Sequence, residues 1–238
     1  MQYKFTIVVP VYNEEDNLAR VEQELLSYSK IANQPTRILF VNDGSKDGSQ
    51  KLIEDICSRN DNFSYLLFSE NRGLSAAIKA GFDHTVTELV GYIDSDLQTA
   101  PEDFNKLLEH IGTYDLVTGV RADRKDSFVK NMSSTIANGI RRAFTQDGMD
   151  DTGCPLKVIK TDYAKRIPMF KGLHRFLPAM ILLQNGKVIQ IPVRHFPRMA
   201  GTAKFGLWNR LLGPLMDCFA YLWMKKKYIN YNIEKKSE

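Results

Sequence analysis

Five short apolar runs, separated by segments with helical spacing, dominate the first 120 residues, and this alternation restricts the chain to few architectures. The runs are Phe5–Val11, Arg37–Asn42, Phe63–Phe68, Leu89–Asp94 and Asp115–Val120. Between them lie helical candidates at Glu14–Ile31, Asp47–Arg59, Leu74–Val86 and Pro101–His110, the last with proline suited to a first helical position. Strand and helix in strict alternation predict βαβ units around a mainly parallel sheet flanked by helices, an α/β, Rossmann-like fold. In such open sheets ligands bind beyond the carboxyl ends of strands. Each polar motif of this half follows the end of a run.

After Val120 the rhythm changes. Phe128, Met132, Ile136, Ile140 and Phe144 recur every four residues, flanked by Lys125, Lys130, Arg141 and Arg142. A second stripe, Trp208, Leu211, Leu212, Leu215, Phe219, Leu222 and Trp223, ends in Lys225-Lys226-Lys227. One amphipathic helix usually covers its own core. Two such stripes, near 127–145 and 206–224, both edged by cations, point instead to helices lying on an anionic membrane surface. The apolar stretch from Leu211 to Met224 contains Pro214 and Asp217 and falls short of the ~20 residues that span a bilayer.

The length of 238 residues suits one elaborated domain over 1–238, with 225–238 as a basic tail. The net charge of +4 is modest, but basic residues crowd 121–142, 194–210 and 225–227, which implies a local anionic partner. Nucleic acid is not expected. Cys57, Cys154 and Cys218 form no CxxC pair, and the chain starts directly on a strand-like segment; both fit a reducing, cytoplasmic setting. His84, His110, His174 and His195 lack metal-ligand spacing, and Cys154 reads as a packing residue.

The chemistry concentrates in Asp94-Ser95-Asp96-Leu97-Gln98, just past Val90-Gly91-Tyr92-Ile93. Two carboxylates at i and i+2 beyond a buried strand can approach one divalent cation, which takes hard oxygen ligands and leaves room for substrate phosphates. Alone, an Asp-x-Asp is more often a solvated loop. Its companions are Val8-Val9-Pro10-Val11-Tyr12-Asn13-Glu14-Glu15 and Phe40-Val41-Asn42-Asp43-Gly44-Ser45. A carboxylate at a strand tip can accept a nucleobase N–H, although Asn-Asp-Gly-Ser is also ordinary turn composition.

Together with Asn71-Arg72-Gly73, these segments resemble family 2 glycosyltransferases of the GT-A fold. Asp151-Thr152-Gly153-Cys154-Pro155-Leu156-Lys157, His174-Arg175-Phe176-Leu177-Pro178-Ala179 and Arg198-x-x-Gly201-x-x-Lys204-Phe205 resemble the dolichol/polyprenol-phosphate mannosyltransferase branch. The likeness runs in order from residue 5 to about 224. It implies a nucleotide-sugar-binding half over 1–120 and an acceptor-binding half over 121–224. By the same resemblance Pro10, Tyr12, Glu14 and Asp43 hold the nucleoside, with Asp94 and Ser95 beside the ribose or diphosphate. Asp94, Asp96 and Gln98 with the donor diphosphate would ligate Mg²⁺ or Mn²⁺. Arg121, Lys130 and Ser134 match positions that grip the acceptor phosphate, and Arg198 and Lys204 a loop that closes over the charges. Asp151 matches an acid facing the site, grouped with Asp94 and Asp96 as catalytic.

Asn42 stands where the family commonly has an acid, and Ala203 and Phe205 replace a serine and a tyrosine. The implied activity is inverting transfer of one sugar from GDP-mannose or a UDP-hexose to a polyprenyl or dolichyl phosphate at the cytoplasmic membrane face, in glycan synthesis. A phosphate monoester is already an oxyanion, so cations matter more than a general base. Two other readings share the donor half: transfer to a sugar hydroxyl of a glycolipid or polysaccharide, and a non-catalytic nucleotide-sugar-binding scaffold. The sequence leaves open the oligomeric state and any integral membrane partner.

Overall fold

The computed structural model describes residues 2–121, 139, 141–197, 212–231 and 234–235, with only the backbone of 212–214. Seven strands form one sheet in the order β3-β2-β1-β4-β6-β5-β7. They are β1 (Phe5–Val11), β2 (Thr36–Asn42), β3 (Phe63–Leu67), β4 (Leu89–Tyr92), β5 (Leu116–Arg121), β6 (Lys157–Lys160) and β7 (Val188–Val193). β1 pairs in parallel with β2 and β4, β2 with β3, and β5 with β7. β6 alone runs antiparallel, between β4 and β5.

The expected βαβ half is present nearly residue for residue: α1 (Glu15–Ile31), α2 (Ser49–Arg59), α3 (Leu74–His84) and a 3₁₀ turn Pro101–Asp103 running into α4 (Phe104–Leu108). Beyond β5 come α5 (Thr161–Lys165), a 3₁₀ turn Leu173–Phe176, α6 (Leu177–Leu183) and α7 (Leu212–Lys227). β6 and β7 escape sequence reading for chemical reasons. β6 is KVIK, with a lysine at each end, and β7 is VIQIPV, interrupted by Gln190 and Pro192.

Side chains of β1 are buried on both faces, as a central strand requires. Phe5, Ile7, Val9 and Val11 pack with Leu18, Val21 and Leu25 of α1 and Ile53 and Ile56 of α2. Val8 faces the other layer with Ala77, Ile78 and Phe82 of α3, Met180 and Ile181 of α6, and Cys218 and Tyr221 of α7. Approach is closest at Gly81, where a Cβ would lie 2.4 Å from Val8 Cγ1. The result is a helix–sheet–helix sandwich in which α7 belongs to the core through one face only.

That second layer holds a buried imidazole. Nδ1 of His174 lies 2.7 Å from the Ser75 hydroxyl, which also accepts the Gly172 N–H at 3.0 Å. Burial pushes the His174 pKa down to about 3, helped by the charges of Arg175 and Lys157. In the unfolded chain it titrates near ~6.5. The unfolded state therefore binds more protons between those values, so this contribution is complete above pH ~6.5 and declines as pH falls through it. Denaturant midpoints taken from pH 7 to 5 should fall, and His174→Asn, which keeps a polar partner for Ser75 without a proton to gain, should flatten that slope.

Candidate active site

Chain direction creates the site. After β1 the chain moves outward through β2 and β3, then returns to place β4 on the opposite side of β1. Strand order reverses there, and the loops leaving β1 and β4 diverge around a crevice. Pro10 contributes to the opening. Ile93 N donates to Val8 O at 3.1 Å, so alternate residues of β1 turn their backbone groups toward β4. Pro10 is next in that series and has no N–H to continue the ladder. β4 pairing stops, and Asp94 to Gln98 leave the sheet.

The β1–α1 and β2–α2 loops are laced together by short polar side chains. Asn13, in the left-handed region at φ 51°, donates its N–H to Ser45 Oγ at 2.9 Å and accepts Lys46 N at Oδ1 at 2.8 Å. Ser49 Oγ accepts Glu14 N at 3.0 Å, and Glu15 Oε2 accepts Gly48 N at 2.6 Å. The Glu14 carboxylate also takes the Asn17 amide at 2.6 Å. Tyr12 and Glu14 are thus held at the rim of β1 by a braced turn.

Asp43 anchors a third loop. Its buried carboxylate accepts Arg72 N at 2.6 Å, Gly73 N at 2.8 Å and the Asn71 amide at 2.8 Å. The Asn71-Arg72-Gly73 segment is therefore folded around Asp43, and the carboxylate has lone pairs left for a ligand. Gly44, at φ 69°, lets the two loops touch: a Cβ there would lie 2.4 Å from Glu70 C. Asn42 has a structural account as well. Its amide donates to Gln50 Oε1 at 2.8 Å while its oxygen accepts Ser45 N at 3.0 Å, a pairing that an aspartate could not complete as donor.

The Asp94–Gln98 loop is compact. Leu97 N donates to Asp94 O at 3.1 Å, Leu97 sits at φ 45°, and Gln98 N donates to Asp96 Oδ1 at 3.3 Å. Arg20 from α1 reaches Leu97 O at 3.3 Å. Among the described residues no group of three or more His, Cys, Asp or Glu side chains forms an all-protein metal cage. Two carboxylates and an amide oxygen on one loop are instead the hard, incomplete donor set that suits Mg²⁺ or Mn²⁺ shared with substrate phosphates, so the residues fit that use.

Two strands beyond β4 on the same edge of the sheet, β5 ends at Arg121, whose guanidinium forks onto Asp151: Nε to Oδ2 is 2.7 Å and Nη2 to Oδ1 is 2.9 Å. Both side chains are nearly buried. Gly153 N also donates to Asp151 Oδ1 at 3.2 Å, and Gln190 of β7 holds the turn, accepting Asp150 N at 2.6 Å and donating to Asp151 O at 3.1 Å. The two sides meet electrostatically at Tyr92. Burial raises its phenol well above the ordinary value, assisted by the charges of Asp94 and Asp151 and opposed by Arg121. Burial likewise lowers Lys157, which feels the same Asp151, Arg121 and Asp94. Cys154 is buried, and burial raises its thiol to about 11, as suits a packing residue.

Lys130, Ser134, Arg198 and Lys204 lie outside the described residues. The root of the segment that carries the last two is described. Arg194 donates its N–H to Asp103 Oδ2 at 2.7 Å and its Nε to Oδ1 at 3.1 Å, while Phe196 N donates to Gln98 O at 2.8 Å. The loop bearing Asp94 and Asp96 is thereby stitched to the chain leading toward Arg198. Asn71, Asp103, Lys157, Gln190 and Arg194 were not singled out for these roles in the sequence, because their partners lie 28 to 91 residues away or are backbone atoms.

Known proteins share these features. A profile of the family described as glycosyl transferase family 2 matches residues 6–167. An undecaprenyl-phosphate 4-deoxy-4-formamido-L-arabinose transferase of Edwardsiella ictaluri is 31% identical over 217 residues, 90% of this chain and 67% of that protein. Its counterpart in Pectobacterium carotovorum is 32% identical over 217 residues, with 90% and 66% covered. The chain thus spans about two thirds of the length of these relatives. In fold it is similar to a glucosyl-3-phosphoglycerate synthase from Mycobacterium tuberculosis solved with Mn²⁺ and UDP (TM-score 0.71, 14% identity, 96% of this chain and 81% of that one). A mannosyltransferase from Pyrobaculum calidifontis solved with GDP-Man and Mn²⁺ also superposes (TM-score 0.63, 16% identity, 93% and 70%).

Asp43→Asn should expose the cost of the anchored loop. The amide replaces one acceptor oxygen by a donor facing backbone N–H groups, a loss of about 1–3 kcal/mol. Urea denaturation should show that drop.

Proposed function

The chain belongs to glycosyl transferase family 2, and from that premise we propose that it transfers one sugar from a nucleotide-sugar to a polyprenyl phosphate at the cytoplasmic face of a membrane. The observation that carries the reading is the convergence at Tyr92: an acidic loop suited to a metal diphosphate on one side, and a carboxylate-held arginine suited to a phosphate on the other. Curated relatives named for transfer to undecaprenyl phosphate support the acceptor.

In this reading Pro10, Tyr12, Glu14 and Asp43 bind the nucleoside and Ser95 lies beside the donor. Asp94, Asp96 and Gln98 would hold Mg²⁺ or Mn²⁺, which when bound would offset charge on the departing diphosphate. An acceptor phosphate oxygen forms the new bond to the anomeric carbon as the bond from that carbon to the nucleoside diphosphate breaks, with inversion. No proton need be removed from the nucleophile. Arg121, with Lys130, Ser134, Arg198 and Lys204, screens the repulsion between acceptor and donor and orients the attacking oxygen. Asp151 fixes the plane of the Arg121 guanidinium, since a bidentate fork sets orientation as well as charge. GDP-mannose and UDP-hexoses head the donors to screen, and the sugar named for the relatives widens that set.

The membrane part of the proposal rests on α7. Its inward face buries Cys218 and Tyr221 at 2% exposure each, while Met216, Phe219 and Trp223 stand 67%, 53% and 68% exposed. This apolar outer face leads into Lys225, Lys226 and Lys227. Of the stripe expected over 206–224, four side chains are described: Phe219, Leu222 and Trp223 are exposed and Leu215 is half-buried, which supports a surface role for this face. Trp208 and Leu211, and most of the stripe over 127–145, lie outside the described residues; Phe144 packs against Phe219 with centroids 5.3 Å apart. Among the described residues no helix is long and apolar enough to cross a membrane. An amphipathic helix of this kind suits an anionic lipid surface. We further infer one domain over 1–238, with a donor half over 1–120 and an acceptor half over 121–224.

Two measurements test these readings. Nucleotide release from a panel of nucleotide-sugars, with Mg²⁺ and a short polyprenyl phosphate, should be acceptor-dependent, and Asp96→Asn should lower it about a hundredfold or more without changing the far-UV spectrum. Equal release with soluble sugars in place of polyprenyl phosphate would overturn the acceptor. Sedimentation with anionic vesicles at low salt should carry the protein down, and replacing both Phe219 and Trp223 by serine should leave it in the supernatant.

A further inference from the structure

Lys157 is a charged side chain placed where an apolar one would be expected. It opens β6, is fully buried, and is followed by buried Val158 and Ile159. Among the described residues its ammonium makes no hydrogen bond to a carboxylate. It donates to Thr152 O at 3.2 Å and to Cys154 O, and stands 5.5 Å from the centre of the Tyr92 ring. Burying a cation on carbonyls and a ring is expensive, and an apolar side chain of similar volume is commonly as stable or more so. Global stability alone is a poor account of this residue.

The turn that the ammonium gathers carries Asp151 and lies directly on Arg121. Gly153 is so close that a Cβ there would come within 3.1 Å of Arg121 Nη2, and its N–H already binds Asp151 Oδ1. Cys154 Sγ is wedged against β5, 2.8 Å from where a Cβ on Gly119 would lie. Movement of the 152–154 carbonyls therefore displaces both members of the Arg121–Asp151 fork. On the same side, Tyr92 ends β4 two residues before Asp94.

We propose that Lys157 is a positioning residue for the acceptor side of the site: by drawing the Thr152 and Cys154 carbonyls onto one ammonium, it holds the 151–154 turn in the form that lets Asp151 clasp Arg121 toward the acceptor phosphate. The role in turnover rests on the transferase reading above. The effect on the Arg121 fork does not.

The test compares Lys157→Met, which keeps length and removes the donors, with wild type. Three quantities are read: affinity for nucleoside diphosphate with Mn²⁺, kcat/KM for a short prenyl phosphate, and the Arg121 Nε–H resonance of ¹⁵N-arginine protein, assigned by its loss in Arg121→Lys. The expected result is a fall in acceptor kcat/KM of about 10- to 100-fold, the usual range for an outer-shell partner. Donor affinity should stay within about twofold, the Arg121 resonance should shift or exchange faster, and Lys157→Met should add little to Asp151→Asn, as coupled residues do. A folded variant with wild-type acceptor kinetics and an unchanged Arg121 resonance overturns the proposal. So does equal loss of donor and acceptor binding, or full additivity with Asp151→Asn. If Lys157→Met does not fold, Lys157→Gln, which keeps a donor without charge, should give a smaller loss on the acceptor side alone; an unaltered Lys157→Gln overturns the proposal equally. If wild type turns over no prenyl phosphate, the transferase reading fails, while the Arg121 resonance still decides the role of Lys157.

Discussion

Parallel pairing between β1 and β4 ends just beyond Val8, and the rest of the structure is organised around that ending. Up to that point the two strands share a ladder and a buried core. Past it, Pro10 offers no N–H and the β4 chain departs with Asp94, Ser95 and Asp96. The crevice is the unavoidable consequence of reversing strand order in an open sheet. The loops after β1 and β2 are then fixed to each other by Asn13, Ser45, Ser49 and Glu15, and the loop before α3 is fixed to Asp43. A rigid sheet with side-chain-laced loops is how polar groups at an open edge are held without a core around them.

Around the end of β5, buried charge is a recurring feature. Arg121 pairs with Asp151, Arg141 with Asp147, and Lys157 with backbone carbonyls. Asp147 also accepts Met149 N at 3.0 Å, so the 146–150 segment leading to Asp151 is braced at its base. Such pairs are a weak source of stability because desolvation offsets most of their attraction. Their effect is on direction: each removes a choice of orientation from the groups that it joins.

The βαβ half was legible from the sequence because its signals are local. Apolar runs, Pro101 at a first helical position and carboxylates at strand tips are each properties of a few consecutive residues, and β1 through α3 appear where those signals lie. The Asp94-Ser95-Asp96 motif was found for the same reason. β6 and β7 were not legible. Lys157 and Lys160 make β6 look solvated, and only its insertion between β4 and β5 hides Lys157; Pro192 and Gln190 do the same for β7, where Gln190 turns out to hold the turn carrying Asp151. The role of Asp43 as the anchor of Asn71–Gly73 was not legible, because that contact joins residues 28 to 30 positions apart.

Local chemistry in the chain by itself determined the class of fold and the family. Periodicity selects strand or helix without long-range information, and the family's motifs are runs of consecutive residues. Tertiary structure alone decided which charges meet. It set Arg121 on Asp151, turned the outer face of α7 to solvent while Cys218 and Tyr221 went inward, and buried Lys157 on carbonyls behind the crevice. The physical reason is that pairing partners and burial depend on strand order and on how layers stack, and neither is written in the spacing of residues along one segment.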